Sequence, residues 1–213
     1  MARPRKEQQI EIEKAAVAAT IDLLAKSAAE DISLARIAKE IGCSAPALYT
    51  HFASKNALLK AVHDAGFVMM LDQKLATAAR HRSDPIARLW EGGLAYLQFA
   101  FENPNLYRLM FDPPKEAGLS GSPFESDVGA RCLGVLVQAV RACQAAGYLP
   151  EAEAGKTAFL LWSTVHGAAM LTLLDRAPVL ADEDSRDAAI SAVDSLMRFL
   201  ISTGPQTPPA ANA

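Results

Sequence analysis

Between Ser33 and Lys55 the chain gathers side chains suited to gripping phosphate rather than to breaking bonds. The hydroxyls of Ser33, Ser44 and Tyr49 can donate hydrogen bonds to phosphate oxygens, and the Lys55 ammonium can neutralise one. Beside them Ala38, Gly42 and Leu48 stand at offsets of four and ten residues, the spacing a helix-turn-helix needs. A small residue in the first helix lets the second approach, glycine takes the positive φ of the turn, and leucine packs back between the two. Ile37 and Ile41 complete the inner face. Ala45, Pro46, Tyr49 and Thr50 then form the outward face of the second helix, the face that enters a major groove. The same triplet would also serve any helical hairpin packed inside an all-α protein.

A second concentration lies further on. From Asp84 to Phe111 come Trp90, Tyr96, Phe99, Phe101, Tyr107, Met110 and Phe111, the densest aromatic run in the sequence. Such residues are first of all core. A cavity lined by methionine and aromatic rings beside a flexible loop also suits a small apolar or aromatic ligand. Phe159, Trp162, His166 and Met170 share a helix face at i, i+3, i+7 and i+11, which leaves His166 the one titratable group on an apolar stripe. The candidate ligand contacts are therefore Trp90, Phe99, Tyr107, Met110, Phe111, Trp162, His166 and Met170, with a structural hydrogen-bonding role for His166 as the alternative. Ser163 stands three residues before His166, but no acid follows at a spacing that would orient the histidine, and no second ligand stands nearby to make a metal pair. No catalytic residue, metal or cofactor is expected; the rival reading is a small-molecule-binding protein or enzyme that keeps the helix-turn-helix as scaffold.

The elements that must carry these residues are helical throughout, about nine in number. Apolar spacing of i, i+3, i+4 recurs along the chain, with no sustained period-2 alternation and no hairpin dipeptide. The spacing predicts a first helix over about 8–27, then Ser33 capping a second that ends at Gly42, and Ser44 capping a short third with Pro46 in its first turn. A long fourth helix from Ser54 to about Ala79 connects two domains. Asn103-Pro104 separates a fifth from a short sixth, and 112–123, rich in Pro, Gly and Ser, reads as the longest loop. The segment from Thr157 to Leu174 contains no Asp, Glu, Lys or Arg. Ser163, Thr164, His166 and Thr172 dilute it, so it reads as a central buried helix rather than a membrane span.

The run from Ile37 to Leu59 narrows the choice. Ile37-Ala38, Gly42, Ser44, Leu48-Tyr49, His51-Phe52, Ser54-Lys55 and Leu58-Leu59 resemble the N-terminal domain of the tetracycline-repressor (TetR) family of bacterial regulators, over about residues 8–62. The resemblance implies that Tyr49 and Lys55 contact phosphates, that Ala45, Pro46, Ala47, Thr50 and His51 face the groove, and that Phe52 lies in the core beneath. Ala28 departs from the glycine common there. Alanines can meet a thymine methyl but cannot read a base by paired hydrogen bonds, so specificity leans on DNA shape. The segments Trp162-Ser163-Thr164-Val165-His166-Gly167 and Pro104 to Phe111 resemble a Trp-x-x-x-His-Gly subfamily of the C-terminal domain.

Charge follows the same division. The whole chain of 213 residues carries a net charge of −3, whereas residues 1–60 hold nine Lys or Arg against seven Asp or Glu, so the basic side belongs to the expected DNA-binding domain. The expected domains are 1–55 for DNA, 56–203 for effector and dimerisation, and 204–213 as a disordered tail. Gly167, Ala168 and Leu171, with Ile190, Val193, Met197, Leu200 and Ile201 of the last helix, would build a four-helix interface between two copies. Three cysteines, with Cys132 and Cys143 too far apart along one helix to bridge, and acidic residues directly after Arg3, Arg5 and Lys6, where a secretory signal needs apolar ones, fit a cytoplasmic protein. The expected partners are a double-stranded, palindromic DNA operator, a small-molecule effector and a second copy of the chain, with no membrane. The expected function is a ligand-responsive transcriptional regulator, a repressor released by its effector.

Overall fold

The computed structural model describes residues 6–149, 153–177, 184–202 and 204, with side chains from residue 11 onward except at 116. The basic arm at Arg3 and Arg5 lies outside these residues, as does the expected tail beyond Gly204. The described elements are α1 (Lys6–Leu24), α2 (Leu34–Glu40), α3 (Ala45–Tyr49), α4 (Lys55–Arg80), α5 (Pro85–Glu102), α6 (Pro104–Phe111), α7 (Asp127–Ala145), α8 (Ala154–Leu173) and α9 (Ser185–Ser202), with no strand among them. The all-α expectation holds. The stretch expected as the longest loop contains two 3-10 turns, Lys115–Ala117 and Pro123–Glu125.

Two compact units share the chain: Met1–Met70 with Glu102–Gly129, and Leu71–Phe101 with Ala130–Ala213. The first unit therefore extends past the helix-turn-helix to include α6, a division that differs from the motif boundary at residue 55. The reason is burial. Leu58, Val62, Phe67 and Met70 of α4 share a core with Leu106, Tyr107, Leu109 and Met110 of α6, all nearly inaccessible to solvent. Phe67 meets Phe111 edge-on at 5.4 Å between ring centres, and Tyr107 meets Phe111 at 4.8 Å. Gly66 permits the approach of α4 to α6, because a Cβ there would come within 2.6 Å of Met110 Sδ and 3.2 Å of Leu106 Cδ1.

The second unit is organised by α8 and α9, which pack on each other. Leu161, Val165 and Ala169 of α8 and Val193, Met197 and Leu200 of α9 are buried. Thr172 Oγ1 donates to the Ser185 carbonyl at 3.0 Å, tying the end of one helix to the start of the other. The expectation that Thr157–Leu174 is wholly buried needs correction. Phe159 is 62% exposed and Leu160 59%, and Leu171 and Leu174 are exposed as well, because the second unit covers only one side of α8. No helix among the described residues is long and apolar enough to cross a membrane.

The aromatic core of the first unit predicts a large local effect. Phe67 is fully buried, so Phe67→Ala removes its ring contacts and leaves a cavity, a change expected to cost about 3–5 kcal/mol. Urea unfolding followed by circular dichroism checks this. A midpoint within error of the wild type would mean that α4 and α6 do not hold one another.

Candidate nucleic-acid interface and ligand cavity

In the first unit the reading head is built by local rules. Ser33 caps α2, its Oγ accepting the Arg36 N–H at 3.2 Å, and Ser44 caps α3, its Oγ accepting the Ala47 N–H at 3.3 Å. Between them the turn closes with the Cys43 N–H on the Ala38 carbonyl and the Gly42 N–H on that of Lys39, at 2.9 and 3.3 Å. This double closure puts its middle residue in the left-handed region, and Gly42 sits there at φ +70°. Ile37, Ala38 and Leu48 are 1, 2 and 0% exposed, so Ala38 and Leu48 of the triplet lie in the interior of the motif, while Gly42 forms the exposed turn.

The outward face is open. Pro46, Tyr49 and Thr50 are exposed, as are the capping residues Ser33 and Ser44, and Ala45 and Ala47 are half-buried. Tyr49, a large side chain of the helix, is 54% exposed. Thr50 Oγ1 donates to the Ala47 carbonyl at 2.6 Å, which spends its proton on the helix and leaves the oxygen as an acceptor and the methyl as an apolar contact. Lys55 Nζ donates to the Glu30 carbonyl at 2.9 Å. An ammonium has three N–H groups, so this bond aims the side chain without exhausting it.

His51 departs from the expected groove-facing set. Its side chain is only 4% exposed, and Nδ1 lies 3.5 Å from Glu13 Oε1 on α1. The cause is the shortness of α3: the helix ends at Tyr49, and the chain turns inward to bury Phe52, carrying His51 over α1. Ala28 needs no glycine. Its backbone is extended at φ −69°, and the turn Ala29–Asp31 follows.

The second unit holds a cavity of about 690 Å³, open mouth included. Its walls come from α4 (Lys74, Thr77, Ala78), α5 (Leu89, Gly92, Gly93, Tyr96), α7 (Val135, Leu136, Ala139), α8 (Leu161, Trp162, Val165) and α9 (Val193, Leu196, Met197), with Arg88 at one side. Beside Trp162 runs a hydrogen-bonded row: the Trp162 indole N–H donates to Tyr96 Oη, and Tyr96 Oη lies 3.1 Å from His166 Nδ1. With the phenol as donor to Nδ1, the imidazole is neutral and carries its proton on Nε2. Burial favours that state, holding the His166 pKa below the usual histidine value. The rings of Trp162 and His166 stack with centres 4.8 Å apart.

Of the eight candidate ligand contacts, only Trp162 lines this cavity. His166 reaches it through Tyr96. Trp90 donates its indole N–H to Asp194 at 2.7 Å, a tie between α5 and α9, and Phe99 is buried. Met170 is half-buried and lines no part of the cavity. Tyr107, Met110 and Phe111 belong to the core of the first unit, because the Asn103-Pro104 break assigns α6 to it. Sequence reasoning missed Lys74. The signal was present: Lys74 falls on the stripe of Phe67, Met70, Leu71, Thr77 and Ala78, a cation on an apolar helix face. Ser163 Oγ donates to the Leu160 carbonyl at 2.9 Å, within its own helix.

Comparison with known proteins agrees with both halves. The family described as "Bacterial regulatory proteins, tetR family" matches residues 16–62, and "Tetracyclin repressor-like, C-terminal domain" matches residues 89–196. No curated protein matches the chain. Among solved structures, a protein of unknown function from Rhodococcus sp. RHA1 is 26% identical with a TM-score of 0.72, over 89% of this chain and 95% of that one. A TetR-family transcriptional regulator from Pectobacterium atrosepticum is 19% identical with the same TM-score, over 95% and 99% of the two chains. A TetR transcriptional regulator from Streptomyces coelicolor is 19% identical with a TM-score of 0.59, over 92% and 99%. With the C-terminal match alone spanning more than half of its residues and the reading head built as described, the chain belongs to the tetR family of bacterial regulatory proteins.

Proposed function

We propose that the protein is a repressor that binds a palindromic operator as a homodimer and leaves it when a small, largely apolar effector enters the cavity. The observation that carries this reading is the contrast across α3: Leu48 is inaccessible, whereas Tyr49 and Thr50 stand exposed between two serine caps and Lys55. Such a face offers phosphate donors at its edges and small groups at its centre. Ser33, Ser44, Tyr49 and Lys55 are the backbone contacts; Ala45, Pro46, Ala47 and Thr50 face the bases. His51 acts indirectly, through Glu13, by holding the end of the reading helix against α1.

Dimerisation rests on the uncovered side of the second unit. Leu160, Thr164, Gly167, Leu171 and Leu174 fall at i, i+4, i+7, i+11 and i+14 along α8, one stripe of a helix, and Ile190, Phe199 and Ile201 of α9 are exposed. Val193, Met197 and Leu200 serve the interior of the unit instead. An exposed apolar stripe such as the one on α8 is the kind of surface that protein–protein contacts use. Two copies joined there double the phosphate contacts that one small head can make.

Effector control needs only differential affinity. A hundredfold loss of operator affinity requires the effector to favour the DNA-incompetent form by about 2.7 kcal/mol, and operator must weaken effector binding by the same factor. Helix α4 is the shared element, with residues to Met70 in the first unit and residues from Leu71 in the second.

Selection of bound duplexes from a random pool tests the DNA assignment, and an inverted repeat is expected. With that duplex, Lys55→Ala should lower the dependence of log K on log salt by about one, and Tyr49→Phe should weaken binding equally on matched and mismatched sites. An unchanged salt slope in Lys55→Ala would remove that residue from the interface. Gly167→Leu probes the dimer cleanly, because a Cβ at this position meets no atom of its own chain within 4 Å. The folded monomer should tolerate it, while the crowded interface loses about 1–3 kcal/mol. Sedimentation equilibrium reads the difference; a dimer as tight as the wild type would place the contact elsewhere.

A further inference from the structure

The walls of the cavity are largely apolar. None of its lining residues is acidic, and two are cationic, Lys74 and Arg88. Arg88 is committed: its Nε and Nη2 donate to the His81 carbonyl at 3.3 and 3.1 Å, and Nη2 donates to the Arg82 carbonyl at 2.8 Å. Lys74 is not. Its Nζ lies 5.5 Å from the centre of the Tyr96 ring, and among the described residues its ammonium has no ion-pair or hydrogen-bond partner. A cation–π contact satisfies part of the charge and none of the three N–H groups.

An ammonium drawn into an apolar cavity is costly unless an anion joins it. Burial depresses the Lys74 pKa, and the nearby Cys132 offers no compensating charge, since burial raises its thiol pKa. A carboxylate at Lys74 would restore the favourable state, with charge-assisted bonds replacing lost hydration. Among the described residues Lys74 is the cavity cation whose three N–H groups all lack a protein acceptor, so one negative charge is its match; the N–H groups of Arg88 that the structure shows bonded are turned to backbone carbonyls.

We infer that the cavity binds an amphipathic monoanion, an alkyl or aryl carboxylate whose charged end meets Lys74 and whose apolar body lies against Leu161, Trp162, Val165 and Val193. This rests on the effector reading above and gives the effector its chemical class. It also assigns Tyr96 a purpose: its hydroxyl is occupied by the Trp162 indole and the His166 ring, so it presents its π-face to Lys74 and leaves the ammonium for the ligand.

Calorimetry with two matched probe pairs on the full-length protein tests the inference: octanoate against octanol, and 2-naphthoate against 2-naphthol. In at least one pair the carboxylate should bind about tenfold or more tightly than its neutral partner, the range of a charge-assisted hydrogen bond. Lys74→Met should abolish that preference while the neutral partner binds as before. Equal affinities within both pairs in the wild type, failure of both carboxylates to bind, or a preference that survives in Lys74→Met would each overturn it. The same titrations with the selected operator duplex separate this site from the function. Lys74-dependent carboxylate binding that leaves DNA affinity unchanged upholds the anion site and overturns effector control. Release of DNA by the neutral partner alone upholds effector control and overturns the anion site.

Discussion

Much of the first unit depends on how the C-terminal end of α1 is closed. A helix leaves its last carbonyls without intrahelical partners, and a buried end needs something to satisfy them. Asn105, on α6, does so: its Nδ2 donates to the Leu24 carbonyl at 2.8 Å and to the Ser27 carbonyl at 3.2 Å. One amide group thereby makes α6 part of the scaffold on which α2 and α3 rest, since α1 packs on both α2 and α6. The bond is specific where the surrounding contacts are not. Leu106, Tyr107 and Met110 would tolerate small shifts along α4, but two carbonyls shared by one NH₂ group hold α6 in a single register against α1.

The second unit, besides capping its helix ends with Asp84, Glu153 and Asp184, arranges polar groups beside the cavity. The row from Trp162 through Tyr96 to His166 consumes an indole proton, a phenol proton and one imidazole lone pair. Each member fixes the next, so three side chains on α5 and α8 behave as one rigid wall. A neutral imidazole suits this position, because a protonated ring would offer Nδ1–H to an oxygen that must already place its own proton elsewhere. His166 thus shapes the cavity at one remove.

What could be read from the chain alone divides by sequence separation. The helix-turn-helix was legible because its determinants are local: a cap, a small residue, a glycine at φ +70° and a leucine, all between Ser33 and Leu48. The cavity was not, because five helices from Lys74 to Met197 contribute to it. Aromatic density pointed to a core without saying which core, so Tyr107, Met110 and Phe111 were grouped with Trp162 although α6 belongs to the other unit. Periodicity likewise marks one apolar stripe on α9, but burial divides it: Val193 and Met197 are buried, whereas Ile190 and Ile201 are exposed. His51 was misplaced for a related reason: residue spacing assumes that a helix continues, and α3 stops two residues earlier.

Lys74 carries the most general consequence. A leucine or methionine at that position would fill space among Thr77, Leu89 and Val135 and lose no hydration, so the lysine costs stability that the unit could have kept. Gly92 on the same wall acts in the same direction: a Cβ there would meet nothing within 4 Å, so side-chain volume is withheld without steric need, whereas a Cβ at Gly93 would lie 3.1 Å from Val193 Cγ1. On the proposed effector reading, a molecule that fills the space and brings a negative charge would relieve both features. Its binding would stabilise the unit by an amount that grows with the logarithm of concentration over Kd. Helix α4 carries Lys74 in the second unit and buries Phe67 and Met70 in the unit that holds the reading head. On the same reading, the wall that combines the cation of this helix with the spare volume at Gly92 is where a ligand would gain its binding energy.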